Sequence, residues 1–75
     1  MTPKQFSAAL DKLGLSQVAA ASLFGANDRT VRRWVLGERG VPTGITILLK
    51  LMLDGKITAI DIHRISIVFK RSLNN

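Results

Sequence analysis

The chain has 75 residues, no cysteine, and 11 lysines and arginines against 5 acidic residues, for a net charge of +6. One small domain with a modest core is the expectation at this length, and the missing thiols exclude disulfide stapling and thiolate metal sites. The positive excess favours a polyanionic partner (DNA, RNA or an acidic membrane surface), although a small basic protein can also be merely soluble. No apolar run approaches the ~20 residues that cross a bilayer, and the opening MTPKQFSAAL has no apolar signal-peptide core. A soluble cytoplasmic protein is expected.

There is no internal repeat and no linker. Turns at Gly14, Gly25, Gly37-Glu38-Arg39-Gly40 and Asp54-Gly55 divide the chain into five segments of helix length. The first predicted helix covers 3–13. Thr2 is a good N-cap, Pro3 suits the first position, and Gln5 completes a capping box. Phe6, Leu10 and Leu13 form one apolar face, and Gly14 can end the helix in the left-handed conformation. The second helix, 17–24, follows Ser16 as N-cap. Its alanines (Ala19, Ala20, Ala21) favour helix and let another helix approach closely.

The third helix, 28–36, has Asn27 as N-cap, Asp28 at the positive end of the dipole and Gly37 as terminator. The fourth, about 43–53, is apolar nearly all round. Ile45, Leu48, Leu49 and Met52 form one face, Ile47 and Leu51 extend it, and Lys50 is the one charge. Such a helix is expected to be buried between the core and something else. The fifth, about 59–73, opens on Thr58 and Asp61, which resemble a capping box. Ile62, Ile65, Phe69 and Leu73 follow at helical spacing. Helix is the reading, but the β-branched ISIVF (65–69) also suits a short strand that pairs with a second copy.

The stretch DRTVRRWVL threads the only tryptophan through the densest positive charge. At about 100° per residue, Val31, Trp34 and Val35 cluster on one side. Arg29 and Arg33 point almost directly away from them. Arg32 and Asp28 take one flank, Thr30 the other, and Leu36 also falls outward. The apolar trio anchors the helix, and the same geometry turns the arginines to the outside.

A helix, a tight turn at Gly25 and a second helix with a basic outer face make the order of a helix-turn-helix unit. Residues 17–36, QVAAASLFGANDRTVRRWVL, resemble the lambda-repressor/Cro-type (XRE-like) helix-turn-helix family. Gln17 opens the first helix of the motif, and Ala21 stands where a small residue lets the two helices touch. Gly25 occupies the turn, and Val31 and Trp34 fill the apolar positions of the recognition helix. LGLS (13–16) and GERG (37–40) also resemble the family. Val18 departs from it, being apolar where the family often has a polar residue, and the C-terminal tail matches no family pattern. The resemblance covers at least residues 4–54 and implies an all-α, compact five-helix lambda-repressor-like DNA-binding domain. Residues 1–75 are read as that single domain, with 58–75 as a dimerisation or C-terminal segment whose mode of pairing stays open.

The resemblance further implies that the start of helix 28–36 enters the major groove. Arg29 and Arg33 are the candidate base readers, since arginine bonds guanine O6 and N7 in a bidentate pair. Thr30 can reach a base edge or a phosphate. Asp28 can accept from cytosine N4, but capping the helix or orienting Arg32 is its favoured role. Leu36 either lies past the regular helix or touches a thymine methyl. Gln17 resembles the family residue that contacts phosphate and braces the next side chain. Free N–H groups near Gln17 and Asn27 also suit phosphate oxygens. Arg32, Arg39 and Thr43 are expected to grip phosphates as well. A solvated face is the plainer account of three arginines; the turn, the small residue and the apolar anchors together argue against it.

Nothing points to an enzyme. His63 is the one histidine, Asp11, Asp28, Glu38, Asp54 and Asp61 have no paired spacing, and no glycine-rich phosphate loop occurs. No metal or cofactor is implied. The expected function is sequence-specific binding of double-stranded DNA as a small transcriptional repressor. Its setting would be the nucleoid of a bacterial or phage-infected cell, as for phage or mobile-element regulators and self-repressing antitoxins. One recognition helix reads few base pairs, so a homodimer on an inverted-repeat operator is expected. Helix 43–53 and the isoleucine-rich tail are its candidate interface, though that surface equally suits completing the monomer's core. The alternative is a protein-interaction module, an antitoxin or phage-type inhibitor whose apolar C-terminal segment holds a protein partner. Non-specific nucleic-acid binding, with a steep salt dependence and no preferred sequence, is a third reading.

Overall fold

The computed structural model describes residues 1–65. Among them the regular structure is entirely helical. The order is α1 (Pro3–Leu13), α2 (Gln17–Phe24), α3 (Asp28–Leu36) and α4 (Thr43–Leu53), then α5, helical over 59–65. The first three helices begin where a side chain can take up otherwise orphaned N–H groups. Thr2 Oγ1 accepts from the Gln5 N–H at 3.1 Å while Gln5 Oε1 accepts from the Thr2 N–H at 2.9 Å. Ser16 Oγ accepts from the Ala19 N–H at 3.0 Å, and Asn27 Oδ1 from the Thr30 N–H at 2.8 Å.

The three helices also end alike, on left-handed Gly14, Gly25 and Gly37. Gly37 has two reasons to be glycine. Its φ is +77°, and a Cβ there would stand 3.0 Å from Pro3 Cγ. The end of α3 is thus pressed against the start of α1.

The core draws on every helix from α1 to α4: Phe6 and Leu10, Ala20 and Ala21, Val31 and Trp34, and Leu49. Phe6 and Trp34 meet edge-on, with ring centroids 5.8 Å apart and planes at 89°. That geometry adds roughly 0.5–1.5 kcal/mol to what area burial supplies. The buried alanines of α2 let α3 lie close, and among the described helices this pair makes the most extensive contact. α1 packs on α3 and on α4.

α4 is buried on the side that meets the core and open on the other. Leu49 and Met52 are buried, but Ile47 is 53% exposed and Leu53 41%. The physical reason is that α4 packs mainly on α1, which covers one side of it. α5 opens as expected: Asp61 Oδ2 accepts from the Thr58 N–H at 2.8 Å, and Thr58 Oγ1 from the Asp61 N–H at 3.2 Å. Ile62 is buried, whereas Ile60 and Ile65 are exposed. The helix-or-strand question over 66–73, with Phe69 and Leu73, lies outside the described residues. Among those described, no helix is long and apolar enough to cross a membrane.

Candidate nucleic-acid interface

The site is built outward from Trp34. Val31 and Trp34 are the buried residues of α3, and they fix its rotation about its own axis. Arg29, Arg32 and Arg33 are consequently exposed. Together with Leu36 and Glu38 they line one shallow surface concavity. Three guanidiniums on the outer side of one short helix form a fork of donors suited to phosphates or to guanine edges. Glu38 on the same rim received no role from the sequence. It lies beyond Gly37, so helical periodicity does not place it.

The N-terminus of α3 is more engaged than its sequence reveals. Asn27 Oδ1 accepts both the Thr30 N–H and the Thr30 hydroxyl proton, the latter at 2.9 Å. Thr30 is half-buried. With its proton committed to the cap, Thr30 can offer a base or phosphate only its methyl group and its acceptor lone pairs. Asn27 in turn keeps its amide NH₂ as a free donor at the positive end of the helix dipole. Asp28 is exposed in the first helical turn, where a carboxylate complements that dipole whatever else it contacts.

Gln17 stands exposed in the first turn of α2, after the Ser16 cap. It shares a second concavity with Ser7, Asp11 and Val35. Around α3, Val35 is followed by Asp28 and Arg32. The start of α2 therefore borders the Arg32 flank of α3. Helix α2 thus brings its unpaired N-terminal N–H groups beside the arginine face.

The other two candidates lie apart. Arg39 faces a small depression with Met1, Pro3 and Gly40, on the α1 side of the α3–α4 loop. Thr43 is exposed as the first residue of α4 and lines none of these concavities. Arg29, Arg32 and Arg33 thus share one concavity, Asn27, Asp28 and Thr30 stand at the start of the same helix, Gln17 lines a second concavity with Val35, and Arg39 and Thr43 line neither. No family model, curated protein or solved structure matches the chain.

Proposed function

We propose that the protein binds double-stranded DNA in a sequence-specific way and acts as a small transcriptional repressor of the lambda-repressor/Cro-like kind. The observation that carries this reading is the division of α3. Trp34 and Val31 are sunk in the core, while Arg29, Arg32 and Arg33 share one outward concavity. A short turn joins α3 to α2, whose Ser16-capped start shares a concavity with Val35 of α3, which supports a helix-turn-helix placement with α3 in the major groove. Arg29 and Arg33 read guanine, Arg32, Gln17 and Asn27 hold phosphates, and Thr30 contributes a methyl or acceptor contact. Operator affinity comes from a homodimer on an inverted repeat, with two half-sites about 34 Å apart.

The test is selection from a random duplex pool at near-physiological salt, followed by sequencing. An enriched inverted repeat containing guanines is expected. Arg29→Ala with Arg33→Ala should then lower affinity for the enriched duplex by at least ~30-fold, from about 1–3 kcal/mol for each bidentate pair, while leaving the melting temperature unchanged. Weak, salt-sensitive binding with no enriched sequence would reject the repressor reading.

One observation favours a second reading, a protein-interaction module. Ile47 on α4 and Ile60 and Ile65 on α5 are all more than half exposed. A partner held there would be indifferent to the double arginine variant, which separates the two readings.

A further inference from the structure

α1, α2 and α3 each end on a large apolar residue followed by a left-handed glycine: Leu13-Gly14, Phe24-Gly25 and Leu36-Gly37. Leu13 and Phe24 turn inward and pack against the core. Leu36 does not. It is 59% exposed and shares its concavity with Arg29, Arg32, Arg33 and Glu38. Seven residues after Arg29 and three after Arg33, it continues their ridge along the outer side of α3.

A single exposed leucine is ordinary on a protein surface. This one is distinguished by its neighbours, because a face that only grips phosphates gains nothing from an isobutyl group. The major-groove edges of base pairs display one apolar group, the C5-methyl of thymine. We propose that Leu36 is a specificity-determining residue that reads a thymine C5-methyl in the DNA bound by α3. This rests on the DNA reading argued above.

The experiment uses the duplex enriched from the random pool. Each thymine is replaced in turn by deoxyuridine, which removes only the methyl group. Affinity is measured for the wild-type protein, Leu36→Ala and Leu36→Met. The wild type should lose roughly 3- to 5-fold at one thymine per half-site, the effect of one buried methyl. Leu36→Met should keep that sensitivity, and Leu36→Ala should bind the thymine duplex more weakly and ignore the substitution. Indifference of the wild type to every deoxyuridine would overturn the proposal. So would a Leu36→Ala response matching the wild type at every position. An enriched duplex with no Leu36-dependent methyl leaves DNA reading intact and removes only this assignment, whereas failure of the pool to enrich any sequence removes both.

Discussion

α3 and α4 belong to the same small body and treat their outer faces in opposite ways. α3 sinks Val31 and Trp34 and exposes three arginines. α4 sinks Leu49 and Met52 and exposes Ile47 and Leu53. Their ends differ too. α3 is closed by Asn27 at one end and by a left-handed glycine pressed on Pro3 at the other. α4 starts after Pro42 with no side-chain cap and ends on Asp54 in the ordinary right-handed region. A helix with a charged outer face and rigid ends is suited to holding side chains in register against a polyanion. A helix whose outer face stays aliphatic is suited to meeting another apolar surface. The contrast assigns the two parts of the molecule to two kinds of contact.

The sharpest way to break this contrast is to compare the buried side of α3 with the outer side of α4. Trp34→Ala should cost about 3–5 kcal/mol, the usual range for deleting a buried tryptophan. That is a large share of the stability of a domain this small. Ile47→Ala should stay within about 0.5 kcal/mol, as exposed positions do. Urea denaturation of both variants at low protein concentration measures the pair. An Ile47→Ala cost approaching that of Trp34→Ala would mean the outer face of α4 is covered after all, and the contrast would fall.

A smaller effect separates the two glycines that bound α3. Gly25 and Gly37 are both left-handed, but a Cβ at Gly25 meets nothing within 4 Å, while one at Gly37 meets Pro3 Cγ at 3.0 Å. Gly25→Ala should therefore cost only the left-handed penalty, about 1 kcal/mol. Gly37→Ala should cost about 2 kcal/mol, because Pro3 must also give way. Equal losses in denaturant midpoint would show that the end of α3 is not clamped against α1.

Much of this was legible in the sequence, and the reasons are local. Thr2, Ser16 and Asn27 each have one short-range task at a helix start, and Gly14, Gly25 and Gly37 each have one at a helix end. Those tasks need no knowledge of the rest of the fold, and the predicted ends of α1 to α4 agree with the observed ones. The outward direction of the arginines was legible for the same reason, since Trp34 sets the rotation of α3. How far α4 is covered was not. Apolar residues all round a helix show how much surface could be covered, and only the packing of neighbours shows how much is. The commitment of the Thr30 hydroxyl to Asn27 was also hidden, because residue type alone does not reveal which of several acceptors a hydroxyl meets.

The subtlest difference between the two halves is chemical. The caps that open α1, α2 and α3 use Thr2, Ser16 and Asn27, none of which titrates in the acid range. The cap that opens α5 uses Asp61. Its carboxyl is held below the usual aspartate range, chiefly by the Thr58 N–H, then by the Thr58 hydroxyl, with the charge of Arg64 adding to both against slight desolvation. A carboxyl whose pKa is lowered by folding contributes stability that is present above its unfolded pKa, about 3.9. The contribution is lost as pH falls through the lower folded value. Acid should therefore loosen the start of α5 while the uncharged cap of α1 holds. Amide NMR resonances of residues 58–62 should shift below about pH 4, and those around Thr2 and Gln5 should not. Asp61→Asn keeps an acceptor oxygen but removes the titrating group, so it should abolish the pH response with only a small loss of stability. If the resonances near Thr2 moved together with those near Asp61, α1 and α5 would open as one unit, and the pH response could not be ascribed to the α5 cap alone.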